Sequence, residues 1–369
     1  MNDNRILFLF NALPPSKRSG VFSECLSWHT VRRIYRALLE GQNEVYTLNL
    51  RSPEQLAGAL KRLPTPSLAF ILAEGLLEQP RTLYDGSGAA LVRSLLGQYG
   101  IPCSHSPVAS MEICRHKSLT YIRLASRGIP VPPHQLLDPS QTNLFAQAKK
   151  AAKELGFPLF VKPNGGGNSL GIDRDSLVPN YHQLHNKIQA ILNTLGEVPV
   201  LAEQYLPGPE YTVGIIGPNP LYVLPPLAFP AGVIRSLEVK KESKTSPPAV
   251  IGLKDRHYEL LGSLALKTFR AVNACDVLRI DLREDAAGNL YVIDVNGTPS
   301  LNPTASLILM AEYLNISYTQ IINLILYYSL TRHGLKPSAR MQELLIKPFS
   351  LLEPYGWEVE NIPAFSFQS

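Results

Sequence analysis

Cysteine is scarce: Cys25, Cys103, Cys114 and Cys275 are the only four in 369 residues. They are widely spaced and form no C-x-x-C pair, which excludes a disulfide framework and a cysteine zinc site and fits a reducing compartment. No uninterrupted apolar run approaches the roughly 18 residues of a membrane span. The run Ile6 to Phe10, with Asn11 and Pro14 close behind, is too short for a signal-peptide core and reads as a buried strand. Blocks of like charge are missing too. The 35 basic and 30 acidic residues are dispersed for a net charge of +5, so nucleic-acid binding is not indicated, although a small anionic ligand would need only a few lysines. None of the eight histidines has metal-ligand spacing, and there is no internal repeat. The expectation is a cytoplasmic protein with neither nucleic acid nor membrane as a partner.

What is present is the composition of a folded chain, 45% hydrophobic and 18% charged, long enough for two or three domains of roughly 150 residues. Strands at Arg5 to Phe10, Val45 to Leu50 and Leu68 to Leu72 alternate with helical patterns at Ser23 to Glu40, Glu54 to Arg62 and Ala89 to Tyr99. That alternation implies a parallel sheet with covered faces. A first boundary falls near Ser104. One helix is expected over Ser110 to Gly128 and another over Leu144 to Leu155; then come the strand Phe157 to Val161 and a cluster of glycines, Gly165 to Gly167 with Gly171. Adjacent glycines can turn successive N–H groups toward an anion, or form a flexible hairpin tip. Val200 to Tyr205 and the run from Glu210 are strand-like. The polar loop from Glu238, with Lys240, Lys241 and Lys244, reads either as a lid over a polyphosphate or as a solvated loop. Tyr258 to Asn273 and Ser306 to Leu314 are helical, and Ser317-x-x-Gln320 resembles a capping box opening a helix that ends near Gly334. The tail beyond it has weak periodicity and is assigned no chemistry.

The most informative stretch is Val277 to Pro303. Two apolar runs, Val277 to Leu282 and Leu290 to Val295, flank turn residues Asp285 to Asn289, a hairpin pattern. Side chains alternate along a strand, so Arg279 shares a face with Asp281, and Asp294 with Asn296. If the two faces coincide, a guanidinium, two carboxylates and an amide converge, a set suited to a hard cation with phosphate oxygens. The alternative is a solvated ion pair on a half-exposed hairpin.

Four motifs taken in order, R-H-K-S, F-P-L-F-V-K-P with its glycine loop, L-A-E-Q-Y-L-P-G-P-E-Y-T-V, and L-R-I-D-L with I-D-V-N-G-T-P, resemble the ATP-grasp superfamily and, within it, the D-alanine-D-alanine ligases. The resemblance runs from about Ser106 to Gly334. It implies an α/β ATP-grasp fold: an N-terminal Rossmann-like parallel α/β domain (1–104), a central ATP-grasp subdomain (105–199), a C-terminal ATP-grasp subdomain with the metal site (200–334), both α+β, and a tail (335–369). It further implies that Lys117 and Lys162 contact the α- and β-phosphates of ATP while Asn168 and Ser169 close the glycine loop over them, with Lys240 in the lid. Glu203 and the backbone of Gln204 to Leu206 would meet the adenine edge, with Tyr205 against the ring and Glu210 on the ribose hydroxyls. Asp281, Asp294 and Asn296 would hold two Mg²⁺ ions, with Mn²⁺ an acceptable substitute. Arg279 would stabilise the transferred phosphoryl group or the later tetrahedral intermediate, and with Ser169 it makes up the catalytic pair.

The reaction implied joins a small-molecule carboxylate to an amine through an acylphosphate, in a chain for which a homodimer is allowed. Departures from the family concern the substrates. The segments that would hold the first amino acid read N-A-L-P-P-S-K-R-S-G-V-F-S-E and I-L-A-E-G-L-L-E-Q-P, with Glu24 a stand-in for a family glutamate and the family's H-G-x-x-G-E-D segment absent. Asp294 stands where the family usually has glutamate, and Ser300 where it has a glycine of the oxyanion site. Three readings follow: a ligase of amino acids or small carboxylates, an ATP-grasp enzyme acting on a larger carboxylate or a peptide acceptor, and a nucleotide-binding module without turnover.

Overall fold

A computed structural model describes residues 4–141, 143–232, 234 and 248–357. The chain opens with β1 (Arg5–Phe10), α1 (Trp28–Glu40), β2 (Glu44–Asn49), α2 (Pro53–Leu60), β3 (Leu68–Leu72) and α3 (Gly88–Gln98). The strands form a parallel sheet of order β2-β1-β3. Every residue of β3, and all but the first of β1, is buried, as a parallel strand covered on both faces requires. Helix α1 starts four to five residues later than its hydrophobic pattern suggests. The backbone of Leu26 is tied to Asn11 at 2.8 Å, and Ser27 is the residue whose hydroxyl caps the helix, accepting from the N–H of Thr30. A serine cap satisfies one of the donors that a helix leaves unpaired at its start.

The expected single helix at Ser110 to Gly128 is two: α4 (Val108–Arg115) and α5 (Lys117–Ala125), broken at His116, whose backbone is extended. The break is stabilised from outside. Asn164 accepts from Lys117 N–H through its carbonyl at 3.0 Å and from Ser118 N–H through its side chain at 2.8 Å, which caps the new helix and fixes Lys117 at its first turn. A four-stranded antiparallel sheet follows, order β4-β7-β5-β6, from β4 (His134–Leu137), β5 (Leu159–Pro163), β6 (Leu177–Val178) and β7 (Val200–Gln204), packed with α6 (Leu144–Leu155) and α7 (Tyr181–Leu195).

The largest sheet is built on β8 (Glu210–Gly217), with β9 (Leu221–Val223), β10 (Leu227–Phe229), β11 (Ala249–Val250), β12 (Asp276–Glu284), β13 (Leu290–Asn296) and β14 (Gly356–Trp357). Its path is β11-β10-β8-β12-β13, with β9 pairing β8 and β14. Helices α8 (Arg256–Ala271), α9 (Ser306–Tyr313) and α10 (Tyr318–Arg332) cover it, the last opened by the expected capping box at Ser317 and Gln320. The tail is not structureless: α11 (Ala339–Leu352) is capped by Ser338 and buries Met341, Leu345 and Leu352. Pro348 lies on the same buried face. Among the described residues no helix is long and apolar enough to cross a membrane.

Asp276 fastens these layers together. It is fully buried, in a left-handed backbone conformation, and its carboxylate accepts from His105 N–H at 2.7 Å, from Ser329 Oγ at 2.6 Å and from Arg332 at 3.0 Å. The His105 ring is buried beside Ser104 and Phe70. Burial, reinforced by Arg93 and Arg332, pushes its pKa well below the ordinary 6.5. The unfolded chain therefore binds a proton that the folded chain refuses, and stability is lost as pH falls below 6.5. Urea unfolding should show an acid slope approaching about 1.4 kcal/mol per pH unit that His105→Asn removes, asparagine being at ease with the positive φ that His105 also has. An unchanged slope in that variant would place the titration elsewhere.

Candidate functional site

Strands β12 and β13 pair in a register that sets Arg279 opposite Asn296 and Asp281 opposite Asp294. Directly opposed residues share a face, so all four polar side chains meet. Arg279 grips Asp281 through Nε at 3.1 Å and Nη2 at 2.9 Å, and Thr212 of β8 donates to the same carboxylate at 2.9 Å. Asn296 donates to Asp294 at 2.8 Å. Burial disfavours the Asp294 carboxylate, but Lys117, Arg279, Lys162 and Asn296 together outweigh it and hold its pKa below the ordinary value. One residue later the register slips: Leu282 pairs with Val292, so Ile293 is the extra residue of a β-bulge. A bulge re-aims the unpaired backbone, and here the Ile293 carbonyl accepts from Lys162 at 3.2 Å and from Tyr121 at 2.9 Å.

The two candidate lysines approach from the neighbouring sheet and helix. Lys162 on β5 pairs with Glu203 on β7 at 2.8 Å, both almost wholly buried. Lys117 donates to Gly166 O at 3.1 Å and lies 3.9 Å from Asp294. Burial lowers the Lys117 pKa, opposed by Asp294 and reinforced by Lys162 and Arg115. A lysine so placed gains when further negative charge arrives.

Glu203, Tyr205, Leu206 and Glu210 line a cleft with about 850 Å³ of empty space, mouth included, together with Lys117, Lys162, Asn168, Ser169, Arg279, Asp281 and Asp294. Of the backbone donors expected at its edge, Gln204 N–H is engaged by Pro133 O at 2.9 Å and Tyr205 N–H by Pro158 O at 3.3 Å. Arg283, which pairs with Glu210 at 3.5 Å and sits 5.5 Å from the Tyr205 ring centre, was not singled out in the sequence. Neither were Tyr121, Thr212 and the bulge carbonyl of Ile293. Arg283 is two residues beyond Asp281 on the same strand, so the alternation that placed Arg279 and Asp281 extends to it. Nothing local marked Tyr121 or Ile293. Lys240, Lys241 and Lys244 lie outside the described residues.

The glycine loop is packed rather than loose. Ideal Cβ atoms at Gly165 and Gly167 would fall 2.5 Å from the Asp85 backbone and 2.1 Å from Glu24 Oε1, and Asn168, itself at positive φ, donates to Ser23 O at 2.8 Å. Beneath Gly167, Arg115 binds both oxygens of Glu24, at 3.3 and 2.8 Å, and lies 3.4 Å from Glu74. Glu24 and Glu74 come from the two segments that depart from the family, so those segments meet each other and the loop. Burial raises the Glu74 pKa against the pull of Arg115.

A model of the family described as D-ala D-ala ligase C-terminus matches residues 124–327, more than half of the chain. The uncharacterized protein y4sG of Sinorhizobium fredii (strain NBRC 101917 / NGR234) is 27% identical over 268 residues, 71% of this chain and 74% of that protein. Two solved structures of D-alanine–D-alanine ligase from Bacillus anthracis, one complexed with ATP, are similar with TM-scores of 0.68 and 0.67 at 23% and 22% identity, covering 90% of this chain and 99% of each of theirs.

The packing of the glycine loop has a direct test. Gly167→Ala must displace the loop or the Glu24–Arg115 pair and should cost about 1–3 kcal/mol in urea unfolding. A midpoint equal to wild type would mean that the loop does not rest on that pair.

Proposed function

This chain belongs to the D-ala D-ala ligase C-terminus family and has the ATP-grasp fold, and from that premise we propose that it is an ATP-dependent ligase joining a carboxylate to an amine. The observation that carries the reading is the opposition, across one cleft, of Lys117 and Lys162 to the Arg279, Asp281, Asp294 and Asn296 face. The Bacillus anthracis relative was solved with ATP, and the same class of nucleotide suits the cleft here. A substrate carboxylate oxygen attacks the γ-phosphorus, the bond to the ADP oxygen breaks, and an acylphosphate results. An amine nitrogen then attacks the acyl carbon, the carbon–oxygen bond to phosphate breaks, and the nitrogen gives up its proton. Lys117 meets phosphate charge, and Arg279, held in plane by Asp281, is placed to balance charge that develops on the phosphoryl group or the tetrahedral carbon. No cysteine or serine nucleophile is needed.

Among the described residues no three His, Cys, Asp or Glu side chains are grouped to hold a metal by themselves. Two carboxylates and an amide fit a hard cation that takes its remaining oxygens from phosphates and water. Asp294, Asn296 through its oxygen, and the one Asp281 lone pair that Arg279 and Thr212 leave, on Oδ2, would hold Mg²⁺. When bound, such an ion neutralises phosphate charge.

A second reading is favoured by Glu24. A family glutamate in the corresponding segment holds the amino group of the first substrate, yet here both Glu24 oxygens are taken by Arg115 and roofed by Gly167. With Arg115 already balancing the Glu24 charge and Gly167 roofing it, a small amino acid gains less from this carboxylate, which points toward a larger carboxylate or a peptide acceptor.

Phosphate release from ATP and Mg²⁺, assayed against D- and L-amino acids, N-acylated amino acids and short peptides, separates these readings. Release is expected with at least one carboxylate and amine pair, and Asp281→Asn or Lys117→Ala should lower it at least about 100-fold with the fold intact. D-alanine alone as substrate would establish the narrow activity. ATP binding without release for any acceptor would overturn the ligase in favour of a nucleotide-binding module.

A further inference from the structure

Lys162 has three N–H donors and three acceptors in reach: Glu203 Oε1 at 2.8 Å, Ile293 O at 3.2 Å and the Tyr121 hydroxyl at 3.3 Å. Lys117, by contrast, makes one hydrogen bond and a loose ion pair among the described residues. The two lysines, given one role by the sequence pattern, are therefore unequal. Lys117 has donors to spare for a phosphate, whereas Lys162 serves first as an anchor for Glu203.

The group that completes this anchor is Tyr121. It is fully buried on α5, and its hydroxyl lies 2.8 Å from Glu203 Oε2 and 2.9 Å from Ile293 O, so its one proton is shared between them while its oxygen accepts from Lys162. Burial, with the Glu203 charge, raises the phenol pKa well above 10, so Tyr121 remains a donor at any working pH. The last torsion of a glutamate is broad and roughly two-fold, and nothing intrinsic fixes the plane of its carboxylate. Lys162 on one oxygen and Tyr121 on the other do fix it. Each oxygen keeps one lone pair, Glu203 lines the cleft, and the plane in which those lone pairs lie is thereby set.

We propose that Tyr121 is a positioning residue: by fixing the Glu203 carboxylate between itself and Lys162, it makes the base end of the cleft selective for a nucleotide with an exocyclic amino group. This rests on the nucleotide site of the proposed function and adds a residue that touches no nucleotide itself. A fixed carboxylate accepts from the amino group of adenine and repels the carbonyl oxygen that hypoxanthine carries at the same place. A carboxylate free to turn discriminates less.

The test is equilibrium binding of ATP and of ITP, each with Mg²⁺, to the full chain and to two variants. Wild type should prefer ATP. Tyr121→Phe keeps the ring and its edge contact with His134 and should lower the ATP-to-ITP preference about tenfold, the worth of a hydrogen bond to a charged group. The ratio, taken on one preparation, does not depend on the fraction of active protein, so a merely structural loss leaves it unmoved. Glu203→Gln, which exchanges an acceptor for a donor on one arm, should abolish the preference or reverse it. A ratio moved by Glu203→Gln but not by Tyr121→Phe overturns the role of Tyr121 and leaves the nucleotide site standing. If neither variant moves it, the base edge is not read by Glu203 and the proposal falls. A wild type that binds neither nucleotide removes the nucleotide site, and the proposed function with it.

Discussion

The site depends on one constraint, the register of the β12–β13 hairpin and the bulge that ends it. Pairing Asp281 with Asp294 forces two carboxylates to within the reach of one ion, an arrangement that costs free energy unless cations surround it. Arg279, Lys117 and Lys162 are those cations. The slip at Ile293 then turns a backbone carbonyl toward Lys162 and Tyr121, which joins the acidic face to the Glu203 end of the cleft. A one-residue slip of β13 against β12 would send Asp294 and Asn296 to the opposite face, away from Arg279 and Asp281.

The second constraint is the contact between the N-terminal segments and the glycine loop. Glycines there do more than permit an anion to approach. They let the loop lie on Asp85, Tyr84 and the Glu24–Arg115 pair, where a Cβ at Gly165 or Gly167 would collide. Of the two sequence readings of those glycines, anion nest and flexible tip, the second does not describe a loop packed this closely. A buried arginine between two glutamates holds the segments together, with burial opposing its charge and Glu24 and Glu74 overcoming that opposition. The same network engages both oxygens of Glu24, so the two segments and the glycine loop are tied through one carboxylate.

Much of this was legible in the sequence, for physical reasons. Period-two alternation placed Arg279, Asp281, Asp294 and Asn296, and the capping box at Ser317 placed the start of α10, because both signals are local. The ATP-grasp fold followed from four motifs in order. What was not legible depends on distant partners. The break at His116 is stabilised by Asn164, 48 positions away, and the role of Tyr121 is written in Glu203 and in a bulge that only the paired strands reveal. The helix at Ala339–Leu352 carries a proline inside it, a residue that argues against a helix interior, although its Ser338 cap was there to be read.

The central claim is that the cleft passes a phosphoryl group to a carboxylate oxygen. The most direct measurement uses a carboxylate substrate labelled with ¹⁸O and follows the label into the phosphate released during turnover. The account predicts one labelled oxygen in each phosphate, since the acylphosphate bridge oxygen leaves with it. Unlabelled phosphate formed alongside ADP and the amide product would contradict it.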